Sequence, residues 1–519
     1  MAQFNKTSQA FLNQEKTLYE VMMLANKDGA PIDQANPLHV SLGTENVTIS
    51  GTVNVGTEVK VNNTTAQGIP IKNDNGGALS VSVSNFPATQ TVSGSVNIGT
   101  MPEVEIKNDL NNPIPVTGTF VTTAPTGTTD AFGRQRVSAP LTLFDSSHRY
   151  RDNNLWATAT TGTASATFSA NEGLVNLTVN NASGAQVIRE TTKVFAYQPG
   201  KSLLVMNTFV PATPKANLRQ RVGYFGADNG MYFEINGTTP YFVERSLSTG
   251  TQTEVAQANW NGDKLNGTGP SGITLDTTKA QIIWMDIEWL GLGTVRMGFV
   301  INGQFILCHS FHHANLITST YITTASLPLR YEITNTGATS GSSTMKQVCS
   351  TAISEGGYEL SGIQQAVGIP INSPKTLGTA GTFYPVISLR LKTSPNRLDA
   401  IVILTALSIM PISTGNYNWQ VIATGTTTGG TWTSAGTDSA VDYNITGTSF
   451  AGGRILASGF FNASNQGASQ VDILKEALFK FQLERNGLTG SPYELTLVVA
   501  SGGGNDTVVA SMDWEEISR

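Results

Sequence analysis

Apolar residues in the first quarter of the chain recur at alternate positions in short runs: Val40 and Leu42, Val47 and Ile49, Val53 and Val55, Val59 and Val61, Val81 and Val83, Val96 and Ile98, Val104 and Ile106. A two-residue period predicts half-buried strands. The runs are short, are separated by Gly, Asn and Pro, and hold almost no large residue besides Phe86 and Phe120. They also repeat. ISGTVNVGT (Ile49 to Thr57) returns as VSGSVNIGT (Val92 to Thr100), and EVKVNN (Glu58 to Asn63) as EVEIKND (Glu103 to Asp109). A period of about 43 to 45 residues carried by strands indicates a repetitive, elongated architecture. Such segments bury too little apolar surface to offset a backbone ordering cost of roughly 1–2 kcal/mol per residue. Neighbouring chains that close one another's open edges supply the deficit, so residues 39–121 are expected to form a homotrimeric β shaft. A monomeric β-solenoid or a flexible linker is the alternative.

Ahead of the repeats the period changes. Phe4, Phe11, Leu18 and Ala25 fall seven apart, with Leu12, Tyr19, Met22 and their neighbours widening the apolar face up to Gly29. This spacing predicts a short N-terminal helix that needs a partner surface, either its own domain, another protein or copies of itself.

After a Pro-, Gly- and Thr-rich boundary at 122–139 the strands lengthen and aromatic residues become frequent. Lys201–Val210, Gln220–Gly226, Gly230–Gly237, Tyr241–Leu247, Ala280–Leu290, Thr294–Val300 and Gln304–Phe311 read as successive antiparallel strands. Asn302-Gly303, between the last two, is the strongest hairpin signal in the chain. Residues 140–350 are therefore expected to form a jelly-roll or lectin-like β-sandwich, and residues 351–519 a second sandwich. Its strands are predicted at Tyr384–Lys392, Ala400–Ile412, Asn418–Gly425, Ala477–Arg485, Tyr493–Ser501 and Thr507–Ile517, with one short helix in VDILKEALFKF.

Composition agrees with an all-β chain. Charged residues make up 13% of the 519 positions, against about 25% in ordinary soluble domains. Gly, Thr, Ser and Asn take their place, as strands and tight turns require. A net charge of −6 offers no field to hold nucleic acid. No stretch of 18 apolar residues and no apolar leader occurs, so membrane insertion is not expected, and synthesis in the cytoplasm is. Cys308 and Cys349 are too few and too far apart for a disulfide framework or a metal motif, and read as free thiols.

NFPATQTVSGSVNIG (Asn85 to Gly99) resembles the shaft repeats of tailed-bacteriophage virion appendage proteins, the tail fibres, head fibres and decoration proteins. DAFGRQRVSAPLTLFDSSHRYRDNNLW (Asp130 to Trp156) resembles the start of the sandwich domain in phage structural proteins. The resemblance covers residues 39 to about 350. It implies a homotrimeric virion fibre or spike, with residues 1–38 as the virion anchor (Phe4, Phe11, Leu12, Leu18, Tyr19 and Met22) joined to other virion proteins, and adhesive or decorative sandwiches beyond. A decoration protein without a receptor, or a fibre-borne glycan depolymerase, is the alternative.

Four further patterns bear on chemistry. Pro199-Gly-Lys-Ser202 lacks the earlier Gly of a phosphate loop, because Phe195 stands there. Asp286 and Glu288 share a strand face, as the acid and nucleophile of some sandwich glycosidases do, but the third carboxylate is missing and a polar outer face accounts for them. No catalytic residue is therefore assigned, and no enzyme is expected. His309, His312 and His313 lack the spacing and partners of a metal site, and surface or interface positions suit them better. No metal or other cofactor is expected. Tyr224, Asp228 and Asn229, with Trp260, Asn261 and Asp263, combine aromatic rings with short polar groups and are the candidate contacts for a host-surface glycan. Sandwich core and turn chemistry is the competing account of the same six.

Overall fold

The computed structural model describes residues 129–130, 133–134, 139–359, 361–463 and 481–517, and four short strands before them. The chain divides into Met1–Val121 and Thr122–Arg519. In the first unit Gln9–Leu12 runs antiparallel to Leu18–Val21, with Phe11 opposite Tyr19, and Ile71–Lys72 pairs with Ala78–Leu79. The sequence pattern predicts helix at the first pair, and the described residues there are strand. An apolar run this dense satisfies a two-residue period as well as a seven-residue one. Phe4, Met22, the rest of the expected helix and nearly all of the repeat region lie outside the described residues, as does most of VDILKEALFKF.

The second unit holds two antiparallel β-sandwiches. In the first, one sheet orders its strands Gln304–Phe311, Val295–Ile301, Gln281–Ile287, Ser202–Val210, Ser343–Glu355, Leu174–Val179 and Ala164–Ser169, and Pro140–Ser147 also pairs with Ser343–Glu355. The facing sheet orders Thr251–Ala256, Thr239–Ser246, Gly230–Asn236, Leu218–Phe225, Leu329–Asn335, Gln186–Thr191 and Trp156–Thr161. Asn302 and Gly303 both take positive φ (54° and 75°), giving the two-residue turn that Asn-Gly favours, with Ile301 opposite Gln304.

Alternation places Ile283, Met285 and Ile287 between the sheets. Trp284 and Asp286, on the other face of that strand, are buried too. The Asp286 carboxylate accepts from the Arg296 guanidinium, which also donates to the Thr129 carbonyl, so the stretch beginning at Thr129 reaches this outer face. Between the sheets, Phe233 meets Phe299 edge-on at 5.2 Å and Phe242 lies 4.5 Å from Trp260. Pairs of this kind add about 0.5–1.5 kcal/mol beyond the area they bury.

In the second sandwich, Asp506–Ile517 is the centre of one sheet: Ile401–Pro411 lines one side, and Ile363–Gly368 and Lys375–Leu377 share the other. The facing sheet orders Thr433–Ser434, Val441–Asn444, Tyr384–Leu391, Glu494–Ser501, Gly415–Thr428 and Ser449–Ala451, with Arg454–Ala463 also on Gly415–Thr428. Its core is built on Leu389, Trp419, Leu497 and Trp514, and the Trp514 indole donates to Glu516 at 2.8 Å.

Where the sandwiches meet, Val194 and Ala196 pack on Ile401 and Ile403 in a small buried cluster. Gln482 Nε2 donates to the Val194 carbonyl at 3.0 Å, and Thr192 exchanges contacts with Glu484 and Arg485. Ile403→Ala is expected to destabilise the chain by about 2–5 kcal/mol. Calorimetry should then show the two sandwiches melting at separate temperatures. A single transition at the wild-type temperature would mean that the seam contributes nothing.

Candidate functional site

A cleft of about 380 Å³ opens at this seam. Its floor is electrostatic. Glu190, on the Gln186–Thr191 strand, is buried, and its carboxylate accepts from Arg330 Nη1 at 3.3 Å and from Arg485 Nη1. Arg330 comes from the adjacent strand of the same sheet and Arg485 from the second sandwich. Arg330 also donates to Glu332 at 3.1 Å. Burial alone pushes the Glu332 carboxyl up, but Arg330, Arg221, Arg219 and Arg245 together outweigh it and hold that carboxyl below its usual range. A side chain at Gly487 would meet the ends of both Arg485 and Glu190 and would have to displace the ion pair, so glycine here leaves the pair its room.

The walls are loops bridged by the Asn229 amide. Asn229 Oδ1 accepts the backbone N–H groups of Leu247 and Thr323, each at 3.1 Å, while its Nδ2 donates to Thr323 Oγ1 at 2.8 Å. Beside it Asp228 is exposed at the rim. Leu327 and Pro328 supply apolar surface, and Asn396, Leu398 and Asp399 close the cleft from the second sandwich. The lining carries three carboxylates (Glu190, Asp228, Asp399) against two guanidinium groups, one net negative charge. Hydroxyls, amides and a carboxylate around a small apolar surface match a hydroxyl-rich neutral ligand.

Of the six sequence-predicted contacts, Asp228 and Asn229 line this cleft and the other four do not. Tyr224 is fully buried; its hydroxyl lies 2.5 Å from the carbonyls of Phe195 and Ala325, and burial pushes the phenol well above its ordinary pKa. Trp260 packs in the core against Phe242, its indole donating to the Val255 carbonyl at 3.0 Å. Neither ring is open to a sugar. Both lie on the inward side of the fold, where a large ring contributes most. Asn261 brackets Ser310, and Asp263 accepts the N–H groups of Leu265 and Ser271, so these two fasten turns. Glu190, Arg330 and Arg485 were missed because they stand 140 and 295 positions apart, and no local pattern joins them.

The remaining candidates are structural in their placement. Glu288 accepts the Thr294 N–H at 3.1 Å, while Asp286 is committed to Arg296. His309, on the Gln304–Phe311 strand, and His313, just beyond it, are buried within the chain and not at its surface, whereas His312 between them is exposed. His312 shares a hydrogen bond with Thr294 Oγ1 at 3.2 Å. Among the described residues no three His, Cys, Asp or Glu side chains gather to hold a metal ion. Both cysteines are free, and burial raises both thiols.

No protein-family model matches the chain, and no curated protein does. Among solved structures, a protein of unknown function from Shewanella oneidensis MR-1 is similar at 12% identity and a TM-score of 0.29, over 43% of this chain and 91% of that one. The CBM2 module of the evolved Dit protein of Lactobacillus casei BL23 phage J-1 is similar at 6% identity and 0.29, over 42% and 98%. A legume lectin-like domain from Entamoeba histolytica is similar at 12% and 0.27, over 42% and 99%. Likeness at this level carries no argument about activity; the class of the protein, an all-β chain with paired antiparallel sandwiches, rests on its own strand pairing.

Glu190→Gln leaves two buried guanidinium groups without their shared counter-charge and is expected to cost about 3–5 kcal/mol in urea unfolding. Asp228→Ala, at the exposed rim, should change stability by less than about 0.5 kcal/mol. Acid provides a separate check. Burial, aided at His148 by Arg189, lowers His148 to about 4, and burial lowers His309 to about 4. Both are neutral in the fold, so their stabilising contribution is complete above the unfolded value of about 6.5 and is lost as the pH falls from there through about 4. Denaturation midpoints measured across that window should decline in wild type, and less in His148→Asn. A midpoint that stays level would contradict the assignment.

Proposed function

We propose that the chain is a non-enzymatic structural protein of a tailed-bacteriophage particle. In this reading it is a homotrimeric fibre or spike, anchored through residues 1–38, whose paired sandwiches hold a neutral host-surface glycan in the seam cleft. The cleft carries the reading: Asp228 at the rim, amides and hydroxyls on the walls, and an apolar patch at Leu327 and Pro328 suit vicinal sugar hydroxyls and the apolar face of a ring. Its net negative lining favours neutral saccharides over uronates. The shaft-like repeats at 49–57 and 92–100 support the threefold assembly, which gives avidity to contacts that are individually weak. The commitment of Asp286 to Arg296 supports a binding role over glycan cleavage.

Two measurements test this. Light scattering on the full chain should give three times the chain mass, a trimer that persists when residues 1–38 are removed while attachment to particles is lost; a monomer would rule out the shaft. On an array of neutral polysaccharides and polyuronates the full chain should select neutral ones without releasing reducing sugar. Asp228→Ala should weaken binding about tenfold or more, since hydrogen bonds to a charged group contribute roughly 1.5–3 kcal/mol. Binding only to polyuronates, or none at all, would overturn the glycan reading, and sugar release would overturn the non-enzymatic one.

A further inference from the structure

His313 lies between the two loops that form the cleft wall. Its Nε2 faces Glu244 Oε2 at 2.8 Å, its Nδ1 faces the Gly293 carbonyl at 2.5 Å, and its ring stacks on Tyr321 at 4.0 Å, 7° from parallel. A carbonyl oxygen only accepts, so Nδ1 carries a proton. Nε2 then needs one as well to meet an ionised carboxylate, and the site is complete with an imidazolium. Three residues after Glu244 the chain reaches Leu247, and two after Tyr321 it reaches Thr323; both Leu247 and Thr323 line the cleft. The loop between His313 and Tyr321 folds back through Leu316 and Ile317 N–H bonds to the His313 carbonyl and a Tyr321 N–H bond to Gly291. Ser248 and Ser319 add a side-chain contact at 3.1 Å.

We propose that His313 is a proton-operated clamp on the cleft: protonated, it ties the Glu244–Leu247 wall to the Tyr321–Thr323 wall alongside the Asn229 bridge, and deprotonated it leaves them to that bridge, so that they open more often. The proposal rests on the seam cleft being the glycan site, and it names the regulation of that site. When the proton leaves, the Nε2 lone pair faces the Glu244 carboxylate across 2.8 Å, and attraction becomes repulsion. Among the described residues no second cation pairs with Glu244. On the neighbouring strands Glu244 is flanked by Met231 and Thr253. The Tyr321 phenol, with Tyr197 and Tyr224 near it, is held neutral by burial. On the Gly293 side, Glu288 is engaged with the Thr294 N–H, and His312 with the Thr294 hydroxyl. Burial favours the neutral imidazole, but the Glu244 carboxylate and the Gly293 carbonyl outweigh it and raise the His313 pKa. The sign follows: the clamp is complete below the ordinary value of about 6.5 and opens as the pH rises through the elevated one.

Hydrogen exchange on the full chain, from about pH 5.5 to about pH 9 and corrected for intrinsic base catalysis, reads the clamp without any ligand. Exchange at Leu316, Ile317, Tyr321 and Thr323 is expected to rise through one titration step above about pH 6.5, by about tenfold for each unit by which the closed clamp raises the His313 pKa. Glu244→Gln should move that step to lower pH, and His313→Gln should abolish it. A flat profile in wild type, or a step that survives in His313→Gln, would overturn the clamp. If His313→Gln fails to fold, the ring resonances of His313 in wild type and Glu244→Gln decide: an elevated pKa that does not fall in Glu244→Gln overturns it. Neutral polysaccharide binding measured over the same pH range is the separate check, because no binding at any pH refutes the glycan site while the exchange step still decides the clamp.

Discussion

A carboxylate taken out of water has to be answered by positive charge, and Glu190 is answered from two directions. Arg330 reaches it from within its own sheet and Arg485 from the other sandwich. The seam therefore has a defined register as well as an apolar contact at Val194, Ala196, Ile401 and Ile403. Burial of those four side chains is non-directional and would tolerate sliding. The shared carboxylate does not, because both guanidinium groups must converge on one pair of oxygens, and Gly487 must come close enough to let them. The cleft exists where it does because this junction sets two loop-bearing edges side by side.

The loops repeat that logic at smaller scale. Asn229 spends its side-chain oxygen on the two walls, and His313 joins the same walls farther back. Backbone groups that strands do not satisfy are thus met by side chains, as buried loop backbone requires. Asp263 with Leu265 and Ser271, and Asn261 with Ser310, do the same at a neighbouring turn.

How far the sequence could be read follows from how local each signal is. Gln304–Phe311 and its partner across Asn302-Gly303 were legible, since turn chemistry and alternation both lie within a dozen residues. Ala164–Ser169 and Trp156–Thr161 were not, because Thr, Ser and Ala on half-exposed strands give little apolar contrast. The dense apolar run near the N-terminus fitted two periods, and at Gln9–Leu12 and Leu18–Val21 the strand period prevailed. Asp228 and Asn229, singled out as polar loop residues beside aromatics, line the cleft, whereas Tyr224 and Trp260 show that an aromatic residue beside polar neighbours carries no mark of which way it faces. Glu190, Arg330 and Arg485 meet only through the fold, and nothing near any of them in sequence announces the other two.

Asp228 and Asn229 are adjacent in the chain and opposite in obligation. Asn229 is held by three hydrogen bonds and cannot change without loosening both walls. Asp228 projects at the rim and bears on none of them. Variation can therefore accumulate at one position while its neighbour stays fixed. A lineage carrying this scaffold could retune what the cleft admits by single substitutions at 228, with no need to re-evolve the frame that presents it.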